Sequence, residues 1–268
     1  MITGASSGIG EAFAKQLAKA GFNLVLVARR EENLKRLCEE ISTSTGVRAE
    51  YFTFDFCRAY ENASSLMWEV DRITKGNVAI LVHMAGNSDL AQHFTDKPLD
   101  RNVEILRLQA EGTLVTVQRF TEMMCKQRPH QRSAIVTAGA LTAYLPLAGF
   151  STASANKAYI RFLTLAAAEE FKEKIDFTCA HPIMVESEIL KGRNPLFVTS
   201  DAFVASTLAK LGYVTETNGS WLHDIIMSLF GMLPEPIRMI GGYKLVPLFS
   251  KFLQRPVDMR PLKDKFPV

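Results

Sequence analysis

With 268 residues, 47% of them hydrophobic, the chain is long enough to bury the core of one large α/β domain. Its 31 basic and 28 acidic residues leave a formal net charge of +3 and are scattered along the chain, without the stripe that a nucleic-acid surface requires. Cys38, Cys57, Cys125 and Cys179 lie far apart with no metal-ligand spacing, so they read as free thiols of a reducing compartment, neither metal ligands nor disulfides.

Residues Thr3 to Gly10 spell TGASSGIG, with Gly4, Gly8 and Gly10 between a strand and an amphipathic helix. Glycines there permit a tight turn and close backbone approach to a pyrophosphate, whose charge is favoured at a helix N-terminus. Gly4, Ser6, Ser7, Gly8, Ile9 and Gly10 are therefore the first candidate cofactor-binding residues. Only Met1 and Ile2 precede the turn, where a first strand would supply about five residues, so either that strand is short or the chain is trimmed. The motif's position at Thr3 leaves no room for a signal peptide, and no run approaches the ~18 apolar residues of a membrane span. The expectation is a cytoplasmic protein, soluble or peripheral at a membrane surface.

In the helix that follows, Ile9, Phe13 and Leu17 share a face, and Gly21 falls where a C-terminal cap belongs. The second strand is Asn23 to Ala28. After it come Arg29 and Arg30, which can pair with a 2′-phosphate where an acidic residue would bind the ribose hydroxyl, so NADP(H) is favoured over NAD(H). The same arginines also suit the solvated start of a charged helix, RREENLKR. Leu34, Leu37, Cys38 and Ile41 repeat at helical spacing. A strand from Tyr51 to Phe54 then places Asp55 at its end, either to accept from an adenine amino group or to close a turn.

A helix carrying Leu66, Met67, Val70 and Ile73 leads into the wholly apolar strand Val78 to Met84, the expected centre of the sheet, followed by Ala85 and Gly86. A long helix through Leu106, Gly112 and Phe120, the strand Ser133 to Thr137, a helix from about Ala153 to Lys172 and the strand Ile175 to Ala180 follow. Six strands alternating with helices predict α/β architecture: a single Rossmann-like, doubly wound parallel sheet with helices on both faces. Residues 181–268 are expected to form a lid loop and a helical C-terminal extension of the same 1–268 domain. In that extension Trp221, Ile225, Ile226, Leu229, Phe230 and Met232 fall near helical spacing. Ile237, Met239, Leu245, Leu248 and Phe252 continue the apolar character, suited to covering a cleft, meeting a partner subunit or resting on a membrane.

The TGASSGIG turn, Asp55, Ala85-Gly86 and Lys157 in the helix after the fifth strand together make the chain resemble the short-chain dehydrogenase/reductase family. Its basic residues after the second strand and its C-terminal stretch look most like the branch of 17β-hydroxysteroid dehydrogenases and 3-ketoacyl reductases. The resemblance implies hydride exchange between NADP(H) and a lipophilic carbonyl or alcohol, often in a homo-oligomer, with no metal. It also implies an Asn, Ser, Tyr and Lys active site. Here the lysine is Lys157, but the tyrosine position is Ala153, the serine position Ala140 and the asparagine position Gln109. The usual Asn-Asn is His83-Met84, the Pro-Gly turn is Pro182-Ile183, and Ser187 falls where a hydroxyl would meet the nicotinamide carboxamide.

A methyl group has no proton to give, so Ala153 removes the general acid and Ala140 an oxyanion donor. Tyr144 is a candidate substitute, and Ser151, Thr152, His83 and His181 lie near strand ends, although packing or capping roles suit each of them. Three functions remain open: an NADP(H)-dependent oxidoreductase with altered or impaired proton transfer, an NADP(H)-binding pseudoenzyme that acts through protein partners, or a membrane-surface scaffold that uses the C-terminal helices.

Overall fold

The computed structural model describes residues 1–87, 92–127, 131–186, 197–232 and 234. Seven parallel strands form one sheet in the order β3-β2-β1-β4-β5-β6-β7. They are β1 (Ile2–Thr3), β2 (Leu24–Ala28), β3 (Ala49–Thr53), β4 (Ile80–His83), β5 (Ser133–Ala138), β6 (Ile175–Ala180) and β7 (Glu216–Thr217). The strand order reverses between β1 and β4, which opens a crevice beyond the carboxyl ends of those strands. Two-residue β1 holds its place because it pairs on both sides, Ile2 with Leu26 and Val82, Thr3 with Val27 and His83.

Successive strand residues face opposite ways, so each layer of the sheet receives its own core. Val25, Val27, Leu81, Ile135 and Phe177 pack against α3 (Ala63–Thr74) through Leu66 and Val70, and against α5 (Gly112–Gln127) through Phe120 and Met124. On the other face Leu24, Leu26, Val82, Val136 and Ala180 meet α1 (Gly8–Lys19), α2 (Glu31–Thr45) and α7 (Ser200–Lys210) through Phe13, Leu17, Leu34, Leu37 and Phe203. Full burial of a side chain such as Phe13, Leu26 or Phe203 contributes roughly 1.5–3 kcal/mol, which ties both helix layers to the strands. The expected doubly wound architecture is thus present.

Besides shifted strand ends, with β3 at Ala49–Thr53 where Tyr51 to Phe54 was expected and β4 at Ile80–His83 where Val78 to Met84 was expected, three features differ from the sequence expectation. The chain adds a seventh strand at Glu216–Thr217, too short for any periodicity to mark, and it joins the same sheet by pairing with Cys179 and Ala180. The long helix around Gln109 is divided: α4 (Leu99–Leu106) passes through a π-helical turn, Arg107–Glu111, before α5 begins. Gly112 allows the turn to close against the chain, since a Cβ there would lie 3.0 Å from the Phe56 carbonyl oxygen. The helix after β5, α6 (Ser151–Glu170), starts and stops two residues earlier than expected. Beyond β7, α8 (Trp221–Gly231) is the last described helix, and Ile237, Met239, Leu245, Leu248 and Phe252 lie outside the described residues.

Candidate functional site

The turn between β1 and α1 is built by backbone contact. Gly4 has φ +66°, and a Cβ on it would stand 2.6 Å from the Met84 carbonyl oxygen; a Cβ on Gly10 would stand 2.2 Å from the carbonyl oxygen of Gly4. Both glycines are therefore required by packing, and with them the turn lies directly against the end of β4. Ser7 precedes α1 in extended backbone without its side chain capping the helix. The first-turn N–H groups of Gly8, Ile9 and Gly10 consequently have no intrahelical partner and face the crevice end of the helix, where an anion is favoured.

Of the two arginines after β2, Arg30 reaches the turn: its guanidinium donates to Ser6 Oγ at 3.2 and 3.3 Å and to Ser7 Oγ at 2.5 Å. Asn33 donates to the Ser6 carbonyl at 3.0 Å. Arg29 is exposed and close enough to Cys57 to act on it electrostatically, so it faces the β3 side. Asp55 lies just past β3, where its carboxylate accepts the Cys57 N–H at 3.1 Å and caps a short 3₁₀ turn, Phe56–Arg58.

Thr3 joins the turn to β4. Its hydroxyl accepts the Ala85 N–H at 3.0 Å and lies 3.0 Å from His83 Nδ1. Burial drives the His83 imidazole down to about 3, with the nearby Lys157 charge adding to the effect, so the ring is neutral and structural. Gly86 is exposed beside it, at the mouth of the crevice.

On the opposite wall, Lys157 of α6 donates to the Ala138 carbonyl at 2.6 Å. Burial lowers its ammonium to about 8. Ala153, one turn earlier on the same helix face, and Ala140, just past β5, add only methyl groups. Gln109, in the π-turn, is buried and donates to the Asn87 carbonyl at 3.2 Å, while its Oε1 has no partner among the described residues. Pro182 follows β6 in the half-buried chain, and Ser187 lies outside the described residues.

The hydroxyls and imidazoles near Lys157 are mostly engaged elsewhere. Thr152 donates to Asn102 Oδ1 at 2.7 Å, and buried Ser154 accepts the Leu147 N–H at 3.3 Å. Tyr144 donates to Glu216 Oε1 at 2.8 Å, and the Arg161 guanidinium stacks 4.5 Å from its ring centroid. A phenol bound to a carboxylate holds its proton: burial first, and then Glu216, push its pKa well above the usual tyrosine range. Tyr144 is therefore directed toward β7 and Arg161, one helical turn beyond Lys157, and away from the space at Ala153.

Around Glu216 the structure gathers a network that the sequence did not disclose. Arg161 binds its carboxylate at 2.6 and 2.9 Å, and His181 Nε2 lies 3.1 Å from it. The other His181 nitrogen is 3.3 Å from the Ala140 carbonyl oxygen. Burial opposes charge on His181, but contacts with Cys179 and Glu216 outweigh it and raise the imidazole to about 9. Burial likewise opposes charge on Glu216, and bonds from His181, Arg161 and Tyr144 hold it down to about 2. Gly139 makes room for this ring, since a Cβ there would stand 2.2 Å from His181 Nδ1. Only Tyr144 and His181 were suspected from sequence. Arg161 and Glu216 are 55 residues apart and carried no local mark.

Among the described residues no cluster could hold a metal ion. The profile of the family described as "short chain dehydrogenase" matches residues 1–195. A very-long-chain 3-oxoacyl-CoA reductase of Pyricularia oryzae is 31% identical over 240 residues, covering 85% of this chain and 70% of that protein. The reductase of the same description from Coprinopsis cinerea is 32% identical over 216 residues, covering 79% and 62%. Among solved structures, a 7β-hydroxysteroid dehydrogenase superposes with TM-score 0.76 at 22% identity, over 86% of this chain and 90% of that one. A short-chain dehydrogenase from Sphingobium yanoikuyae, solved with NADPH, gives TM-score 0.69 at 24% identity, over 87% and 95%.

Proposed function

The chain belongs to the short-chain dehydrogenase family, in the branch that includes 3-oxoacyl-CoA reductases, and from this premise we propose that it binds NADP(H) beside a pocket for a lipophilic carbonyl or alcohol but transfers protons poorly. The observation that carries the reading is the contrast between a nucleotide cradle with no room for a single added Cβ at Gly4 or Gly10 and an opposite wall with methyl groups at 140 and 153. The cradle fits a dinucleotide: unpaired helix N–H groups for the pyrophosphate, Arg30 with Ser6 and Ser7 for a 2′-phosphate, and Asp55 for the adenine amino group. Ala85, Gly86 and Pro182 complete the walls, and Lys157 offers its ammonium to sugar hydroxyls. The nicotinamide, when bound, supplies or accepts hydride.

This chain's residues do the rest incompletely. Gln109 and Lys157 remain at the site, but among the described residues the candidate proton donors Tyr144, His181 and Thr152 are each held by another partner, buried His83 is neutral with its Nδ1 engaged by Thr3, and Ser151 is exposed at the start of α6. That favours a binding protein with slow turnover, and in its limiting form a pseudoenzyme that presents its NADP(H)-bound state to protein partners. Leu106, Leu114, Tyr159 and Phe162 are exposed on α4, α5 and α6, which supports association with a second copy of the chain. No described helix is long and apolar enough to cross a membrane. Exposed Trp221, Ile225 and Leu229 on α8 suit covering the cleft, a subunit contact or peripheral membrane attachment of a cytoplasmic protein. Co-sedimentation with anionic liposomes distinguishes the last of these.

The test pairs binding with turnover. NADPH fluorescence titration is expected to show saturable binding, and the Ala140→Ser, Ala153→Tyr double variant is expected to reduce a 3-oxoacyl thioester far faster than the parent at similar NADPH affinity. No binding of NADPH or NADP⁺ at millimolar concentration ends the reading. Binding without turnover in both proteins selects the pseudoenzyme form.

A further inference from the structure

Lys157 carries a primary amine on α6, one turn after the methyl group of Ala153. Long side chains on a helix lean toward its N-terminus, the direction in which Ala153 precedes Lys157 on the same face of α6. Lys157, Ala153, Ala138 and Ala140 are all half-buried. Its hydrogen bond goes to the Ala138 carbonyl, and no described carboxylate forms an ion pair with it. The titratable groups facing it are neutral, buried His83 and the buried thiol Cys179.

We propose that Lys157 condenses with lipophilic aldehydes or ketones that reach it beside Ala140 and Ala153, forming a Schiff base. The amine nitrogen forms a C=N bond to the carbonyl carbon and the C=O bond breaks. The oxygen departs as water with the two amine hydrogens, so the step needs no oxidant, reductant or bound nucleotide. Chemical feasibility follows from partial desolvation without a carboxylate partner, the setting in which lysines become nucleophilic near neutral pH. With its ammonium lowered to about 8, Lys157 holds considerably more free amine at pH 8 than an ordinary lysine near 10.4, of which below about 1% is free. The small walls, Ala138, Ala140 and Ala153, offer no hydroxyl to hold the carbonyl oxygen, so capture by nitrogen replaces the hydrogen bonds that a serine and a tyrosine would have made.

The experiment is reductive trapping. The full chain is incubated with decanal and sodium cyanoborohydride near pH 8, and the alkylated lysines are located by peptide mass mapping. The expected result is an adduct on Lys157 that forms about tenfold faster than on exposed Lys19, following from its larger free-amine fraction. The same label is expected to be suppressed in Ala153→Tyr, whose phenol covers the amine, and slowed by NADPH competing for Lys157. Label spread evenly over surface lysines, absent from Lys157, or unchanged in Ala153→Tyr overturns the proposal. Labelling of Lys157 that ignores NADPH leaves Schiff-base capture standing and counts against the nucleotide reading. NADPH binding without labelling does the reverse.

Discussion

The two walls of the crevice are built by opposite means. On the β1–α1 side the contacts are backbone on backbone: Gly4 against Met84, Gly10 against Gly4, with Arg30 drawn onto Ser6 and Ser7. Along the β5–α6 wall, charged side chains are plentiful but turn away from the pocket. Tyr144, Arg161 and His181 converge on Glu216, leaving Lys157 among alanines. On the proposed function, the difference teaches that nucleotide recognition and proton transfer are separable in this fold. The first is set by where the chain can approach itself, and the second by two side chains that can change without disturbing the sheet.

The sharpest way to break that separation is to refill the second wall. In Ala140→Ser, Ala153→Tyr, general acid catalysis is expected to return roughly 10²–10⁴-fold in carbonyl reduction, with the restored oxyanion donor adding to it. Steady-state rates with NADPH and a 3-oxoacyl thioester measure it. A gain below tenfold would mean that the wall lost more than two hydroxyls.

The complementary change attacks the first wall. Gly10→Ala places a methyl group 2.2 Å from a backbone oxygen that cannot rotate aside, so α1 must shift. Overpacking of this kind costs about 1–3 kcal/mol or more, and for a chain of this size each kcal/mol moves Tm by roughly 2–4 °C. Both the melting temperature and NADPH affinity are expected to fall together, because one displacement disturbs both. A variant with unchanged stability and affinity would contradict the packing described for the turn.

The same contrast explains what could be foreseen from sequence. Six strands and the glycine turn were legible because each rests on local periodicity or fixed spacing, whereas the alanines at 140 and 153 stood out only through the family resemblance. The roles of Arg29 and Arg30 were not separable, since adjacent residues at a strand end point to different sides and only the tertiary structure brings Arg30 to Ser6. Glu216 was hidden for a different reason: it stands in a two-residue strand and meets partners contributed by the β5–α6 loop, α6 and the end of β6. The π-turn at Gln109 was likewise invisible, because one extra residue in a helical turn leaves the apolar pattern on either side intact.

A smaller effect sharpens cofactor choice. Arg30→Ala removes the guanidinium from Ser6 and Ser7, and losing a charged hydrogen-bonding partner of a phosphate costs about 1.5–3 kcal/mol, roughly 10–100-fold in NADPH affinity. NADH affinity is expected to change little, since NADH has no 2′-phosphate. Equal losses for the two nucleotides would place Arg30 in a structural role and leave Arg29 to be tested in its stead.

The smallest effect belongs to the network around Glu216, and its sign follows from two displaced titrations. His181 is held near 9, above its ordinary 6.5, so its contribution is complete below about pH 6.5 and disappears as pH rises through 9. Glu216 is held near 2, below its ordinary 4.5, so its contribution is complete above about pH 4.5 and disappears as pH falls through 2. The network therefore stabilises most between about pH 4.5 and 6.5. Because the Glu216 side chain is a quarter exposed and Arg161 is similarly wet, solvent screening reduces the benefit to about 1 kcal/mol. Glu216→Gln is expected to lower Tm by a few degrees near pH 5.5, with the gap to the parent narrowing by about pH 9.5 as His181 loses its proton. A gap that does not vary with pH would mean that His181 is neutral in the folded chain. The Ala140 carbonyl would then be held without charge, and the second wall would owe its shape to packing alone.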